Sequence, residues 1–234
     1  MQPDILIVVA ALDEADRISS TLAALALAFP GAPVWVADDG STDATADLAR
    51  AAGATVVRSE RVIGKGQAMT AGVRAALARA GEEEEEEEAI VVLCDGDLGE
   101  SARALGALVE ALRHGEGGAD LAVAAFATRV GGGFGLALGF ARWAIRRRCG
   151  LSTRAPISGQ RALRAGVARD VLPFAPGFGM EIGMTIDAVR AGHRVVEVDL
   201  DLAHRATGRT PAGFLHRARQ LVDFVRAYAA RRAR

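Results

Sequence analysis

Val34-Trp35-Val36-Ala37-Asp38-Asp39-Gly40-Ser41-Thr42-Asp43 reads as a strand that ends abruptly in acid and then turns into a helix. Four apolar residues in a row suit a strand covered on both faces of a sheet. The Ser, Thr and Asp after the glycine are residue types that cap a helix N-terminus, and a helix over Ala44–Ala52 closes on Gly53. The same layout recurs on either side. Ile5–Val9 is an apolar run followed by Asp13-Glu14, and Ile90–Cys94 is another followed by Asp95-Gly96-Asp97. Helices are expected at Glu14–Ala28, Gln67–Ala80 and Ser101–Arg113, with further strands at Thr55–Arg58 and Leu121–Ala125. Strands that alternate with helices predict an α/β fold with a parallel, doubly wound sheet.

The second half is less regular. Gly131-Gly132-Gly133 marks a hinge or loop, and Leu136–Arg148 has the pattern of an amphipathic helix with Trp143 and a basic end. Pro156–Gly159 reads as a short extended stretch, Glu181–Ala191 as a helix, Val195–Leu200 as a strand and Ala212–Ala230 as a long terminal helix. No internal repeat or linker divides the chain. Its 234 residues are expected to form a single domain, with 1–127 as one half and 128–234 as the other.

Composition narrows the function classes. A net charge of −1 creates no global field that would call for a nucleic-acid partner. The two cysteines, Cys94 and Cys149, have neither metal-ligand spacing nor a disulfide framework, which fits a reducing, cytoplasmic setting. No uncharged run approaches the roughly 18 apolar residues of a membrane span. Peripheral contact at the inner membrane face stays open, through Trp143 and Arg146–Arg148; so does a homodimer. The seven glutamates Glu82–Glu88 repel one another and read as a solvated loop.

Ligands of an open parallel sheet sit at the carboxyl ends of its strands. Three acidic clusters stand there: Asp13-Glu14, Asp38-Asp39 and Asp95-Gly96-Asp97. Such a concentration of carboxylates is costly unless a cation or hydrogen-bond donors offset it. Hard oxygen ligands favour Mg²⁺ or Mn²⁺, and such an ion would bridge diphosphate oxygens. Lys65, between Gly64 and Gly66, adds a point charge where backbone amides can approach an anion closely. Its spacing excludes a Walker P-loop.

Val8-Val9-Ala10-Ala11-Leu12-Asp13-Glu14, Ala37-Asp38-Asp39-Gly40-Ser41-Thr42-Asp43, Gly64-Lys65-Gly66 and Asp95-Gly96-Asp97-Leu98 together resemble the successive motifs of family 2 glycosyltransferases with the Rossmann-like GT-A fold. The family usually has Pro where Ala10 stands and often Asn where Asp13 stands. The resemblance implies a nucleoside-diphosphate sugar donor, linked to UDP or GDP. It implies that Glu14 and Asp39, with Ala10 and Leu12 beside them, hold the base and ribose. Lys65 would help position the donor phosphates, Asp95 would face the ribose or the metal with Gly96 beside it at the donor, and Asp97 would bind the metal.

In the second half, Trp143 to Ile145 and Pro156-Ile157-Ser158-Gly159-Gln160-Arg161-Ala162 resemble polyprenyl-phosphate glycosyltransferases. Phe178-Gly179-Met180-Glu181-Ile182-Gly183 and Ala203-His204-Arg205 resemble glucosyl-3-phosphoglycerate synthase and its mannosyl counterpart. These likenesses imply His204 as a second metal ligand and Ser158, Gly159, Gln160, Arg161, Arg205 and Arg209 as acceptor-binding residues. The acceptor would be a phosphorylated small molecule or a lipid phosphate. Glu181 and Asp97 are the expected catalytic pair, although Glu181 could equally charge the first turn of its helix. Those synthases carry Arg-Val-Thr after the triple glycine; here Phe134-Gly135-Leu136-Ala137 follows, which favours a different acceptor. Two rival readings stay open: a nucleotidyltransferase, which lacks support from the acidic first strand end, and a non-catalytic sugar-nucleotide-binding protein.

Overall fold

The computed structural model describes residues 5–80, 89–114, 118–126, 135–202 and 211–232. In chain order the elements are β1 (Ile5–Ala11), α1 (Ile18–Ala28), β2 (Val34–Asp38), α2 (Thr45–Ala51), β3 (Thr55–Arg58), α3 (Lys65–Ala80) and β4 (Ile90–Asp95). A 3₁₀ turn (Gly99–Leu105) leads into α4 (Gly106–His114), β5 (Leu121–Phe126), α5 (Leu136–Cys149), β6 (Arg161–Arg164) and α6 (Ala165–Val171). A second 3₁₀ turn (Gly177–Gly179) opens α7 (Met180–Arg190), and β7 (Val195–Leu200) and α8 (Pro211–Ala230) follow.

Seven strands form one sheet in the order β3-β2-β1-β4-β6-β5-β7. All neighbours are parallel except β6, which runs antiparallel to both β4 and β5. The apolar runs of β1 and β4 have the reason for their composition here, because both strands are central and covered on each face. Ile7, Val9, Val92 and Cys94 face the layer of α1 and α4, with Leu25 and Leu108. Leu6, Val8, Val91 and Leu93 face the layer of α3, α6 and α7, with Met69, Val167 and Met184. A smaller cluster joins α5, α7 and α8 through Ala141, Ile145, Ile182, Ile186 and Phe224.

Three expectations need correction. The first helix begins at Ile18 rather than Glu14. The backbone N–H groups of Asp13, Glu14 and Ala15 donate to Ser41 Oγ, Thr45 Oγ1 and Asp43 Oδ2 of the neighbouring loop, which holds this stretch out of helical geometry. The helix expected over Ser101–Arg113 is split into the 3₁₀ turn and α4. The extended stretch expected at Pro156–Gly159 is a turn, and the strand lies just after it as β6. An arginine at each end of β6 hides it from hydrophobic periodicity, although Arg161 is fully buried.

Candidate active site

Register sets the site. Ala10 of β1 lies opposite Ala37 of β2 and Asp95 of β4, and Ala11 opposite Asp38. The three acid-bearing strand ends therefore reach one rim of the sheet, as ligand sites in such sheets do.

Protein donors hold most of these carboxylates. Asp13 accepts from the Thr42 backbone N–H at 2.7 Å, and Asp38 accepts from the Ser41 N–H at 2.9 Å. Arg58 Nε lies 3.3 Å from Asp38 Oδ2. Asp39 accepts from the N–H groups of Ile63 (2.7 Å) and Gly64 (2.9 and 3.0 Å), so it fastens the backbone just ahead of α3. Of the two offsets the sequence offered, hydrogen-bond donors are in place here: backbone amides and an arginine take up much of the charge of Asp13, Asp38 and Asp39. Ala10 is half-buried and its carbonyl accepts from the Gly96 N–H at 2.8 Å; Leu12 is exposed beside it. Glu14 is half-buried at the turn that enters α1.

The centre of the site is a partly buried ionic chain. Lys65, the first residue of α3, donates to Glu181 Oε1 at 2.8 Å and lies 2.7 Å from Asp95 Oδ1. Gln160 Nε2 donates to Asp95 Oδ2 at 2.8 Å. Ser158 Oγ in turn donates to Gln160 Oε1 at 3.2 Å. Burial alone would lower the Lys65 pKa, but the two facing carboxylates outweigh it and hold the ammonium well above the usual lysine range. Four segments from both halves of the chain meet here: the start of α3, the end of β4, the turn before β6 and the first turn of α7.

Glycine makes this approach possible at two points. A Cβ on Gly159 would stand 2.7 Å from Lys65 Nζ and 2.8 Å from Asp95 Oδ2. A Cβ on Gly66 would stand 1.9 Å from the Ala175 carbonyl oxygen, so α3 can abut the 175–177 segment only without a side chain there.

The expected acceptor residues separate into two groups. Ser158, Gly159 and Gln160 stand against Asp95 and Lys65. Arg161 lies inside the fold, where its Nε donates to the Ser158 carbonyl at 2.9 Å and its Nη1 to Thr185 Oγ1 at 2.9 Å. Burial lowers the Arg161 pKa to about 10, partly offset by the charges of Glu181 and Glu197. Asp97 is half-buried two residues past β4, and Arg17 Nη1 reaches its backbone carbonyl at 3.5 Å. His204, Arg205 and Arg209 lie outside the described residues. Among the described residues, no group of three or more His, Cys, Asp or Glu side chains converges as a metal cage. An oxygen donor at Asp97 beside an open rim fits a hard ion that keeps water and diphosphate oxygens as its other ligands.

Sequence reading missed the Lys65–Glu181 pair, the Asp95–Gln160 bond and the loop-fastening role of Asp39. The pairs link residues 116 and 65 positions apart, and no local signal carries that information.

Known proteins resemble this chain in sequence and in fold. The family model described as glycosyl transferase family 2 matches residues 6–165. An undecaprenyl-phosphate mannosyltransferase of Micrococcus luteus is 30% identical over 222 residues, which cover 88% of this chain and 86% of that protein. Glucosyl-3-phosphoglycerate synthase of Mycobacterium tuberculosis, solved with Mn²⁺, UDP-glucose and phosphoglyceric acid, superposes with a TM-score of 0.73 at 29% identity, covering 97% of this chain and 80% of that one. The same synthase with Mg²⁺ and UDP gives a TM-score of 0.72 at 28% identity, again over 97% and 80% of the two chains. The mixed sheet is the GT-A fold of these enzymes, and the chain belongs to family 2 of the glycosyltransferases.

Proposed function

We propose that this enzyme moves a sugar from a UDP- or GDP-linked donor to a phosphate-bearing acceptor, with polyprenyl phosphate favoured. The observation that carries the reading is the Lys65–Asp95–Glu181 chain beside Asp97 at the sheet's rim. The donor half, 1–127, would seat the nucleotide against Ala10, Leu12, Glu14, Asp39, Asp95 and Gly96. The acceptor half, 128–234, would close the other side. Asp97, joined by His204, would hold Mg²⁺ or Mn²⁺, which supplies charge stabilisation for the departing nucleoside diphosphate.

Lys65 keeps a full positive charge next to the diphosphate position and fixes Glu181 at the acceptor side. Gln160 orients Asp95 so that its carboxylate faces Lys65 rather than swinging toward the metal. A phosphate acceptor is already ionised and needs no strong general base, which fits a Glu181 engaged by lysine. Arg161 acts as scaffold rather than as acceptor ligand, because it is fully buried and Ser158 and Thr185 take two of its three nitrogens inside the fold.

Polyprenyl phosphate is favoured over phosphoglycerate by the likeness to the Micrococcus luteus enzyme along most of both chains. The missing Arg-Val-Thr stretch after Gly131-Gly132-Gly133 points the same way. The two cysteines are unpaired, in keeping with a cytoplasmic site of reaction. No helix among the described residues is long and apolar enough to cross a membrane, so a lipid acceptor would be met at the membrane surface. A homodimer is compatible with this reading.

The test is nucleoside-diphosphate release from a panel of UDP- and GDP-sugars with Mn²⁺, against polyprenyl phosphate and 3-phosphoglycerate. Asp97→Ala should lower turnover about a thousandfold. Unchanged turnover in that variant would remove the proposed metal role.

A further inference from the structure

Helices α5 and α8 pack together on the acceptor side through a ring cluster of Phe140, Trp143 and Tyr228. Ring centroids are 5.6 Å apart for Phe140–Trp143 and 5.0 Å for Trp143–Tyr228. Arg148 lies over the Tyr228 ring at 3.7 Å. Behind this seam, Ala141, Ile145 and Phe224 bury themselves against α7, the helix that carries Glu181. The outer face is different. Leu136 and Trp143, seven residues apart on one side of α5, are 75% and 50% exposed, and Val222 and Val225 of α8 are 47% and 45% exposed. A tryptophan half in solvent, on a helix pair that carries three further exposed aliphatic side chains, calls for a partner.

Charge identifies that partner. Across α5 and α8 there are seven arginines and one acidic residue, Asp223. Asp223 accepts from the Phe178 backbone N–H at 3.2 Å through Oδ2, and its Oδ1 lies 3.6 Å from Arg226 Nη1, so its charge is taken up locally. Arg146 and Arg147 are exposed and flank the apolar stripe, while Arg226 is exposed but paired with Asp223. In a chain of net charge −1 this is a local concentration of cation around apolar side chains. Interfacial helices have this composition, with apolar groups entering the acyl boundary and arginine meeting anionic headgroups. We infer that the joined outer face of α5 and α8 docks on an anionic lipid bilayer. The biological use of this face rests on the lipid-phosphate reading of the acceptor, but the docking chemistry does not.

The experiment therefore omits donor and acceptor. The unmodified protein is sedimented with phosphatidylglycerol-containing vesicles and with pure phosphatidylcholine vesicles. Binding to the anionic vesicles only, weakened by salt, is expected. The chain has two tryptophans, and Trp35 is buried, so Trp143 is the reporter that changes surroundings. Its emission should shift to the blue and be quenched by brominated acyl chains. Arg146→Glu with Arg147→Glu, both on the solvent side, should weaken vesicle binding about tenfold or more while the thermal midpoint stays put. Three results would overturn the inference: no binding to anionic vesicles, equal binding by the folded double variant, or a blue shift that grows with protein concentration without lipid. The last would mean that a second copy covers the face.

Discussion

The strand-end rim and the Lys65 seam solve the same electrostatic problem in opposite ways. At the rim, carboxylates from adjacent strand ends are held by nearby backbone N–H groups: Asp13 by Thr42, Asp38 by Ser41, Asp39 by Ile63 and Gly64. The loops are stitched to one another, and no lysine is needed. At the Lys65 seam, one ammonium serves two carboxylates from distant segments, Asp95 and Glu181, and a glutamine serves the remaining oxygen of Asp95. The rim can lose one bond and keep its loops. The seam has a single shared cation, so its failure should be collective.

The largest effect should follow from Lys65→Met. It leaves Glu181 buried without its partner, at a cost of about 3 kcal/mol. For a chain of this size the thermal midpoint should fall roughly 6–12 °C. Adding Glu181→Met should restore part of the loss, because the unpaired charge goes with it. If the single and double variants melt together, the two residues are not coupled and the contrast between rim and seam fails.

A smaller effect, read in kinetics rather than stability, should come from Gly159→Ala. The added methyl meets the movable ends of Lys65 and Asp95. Those groups can shift, so folding should be little changed while kcat/KM falls about tenfold to a hundredfold through misplacement. A Gly159→Ala enzyme with native kinetics would show that the seam tolerates displacement.

The smallest effect concerns Glu197, at the outer edge of the acceptor half. Burial would raise its pKa, but hydrogen bonds from the Thr153 hydroxyl, the Ala155 and Arg154 N–H groups and the Arg154 side chain outweigh burial and hold it below 4.5. A carboxyl lowered on folding contributes stability above its unfolded value, and that contribution is lost as pH falls through the folded value. Glu197→Gln should therefore cost about 1 kcal/mol near neutral pH, a difference that shrinks below pH 4.5. Urea unfolding across the acid range measures it. A difference independent of pH would assign the cost to packing instead.

The fold of the first half was legible because its signals are local. Apolar runs such as Ile5–Val9 and Ile90–Cys94 mark central strands, and Asp-Gly-Ser-Thr-Asp at 39–43 marks the turn into a helix. The acid-bearing strand ends followed directly, since strand order and register carry them to one rim. The start of α1 was misread for a physical reason: bonds from Asp13, Glu14 and Ala15 to the next loop override helical propensity. Strand β6 was missed because Arg161 occupies a position that periodicity reserves for an apolar side chain.

By itself, then, the sequence determined a mostly parallel sheet with an acidic rim, and it supplied the carboxylates, the lysine and the glycines that meet there. Only the tertiary structure decided which charges meet. Lys65 could have been a solvated cation, a phosphate ligand or half of an ion pair. The choice was made by the antiparallel insertion of β6 beside β4, which brings Gly159 and Gln160 against Asp95, and by the packing of α7, which delivers Glu181. Side-chain chemistry is written residue by residue, but a buried charge takes its role from whatever partner the chain's long-range packing sets within bonding distance.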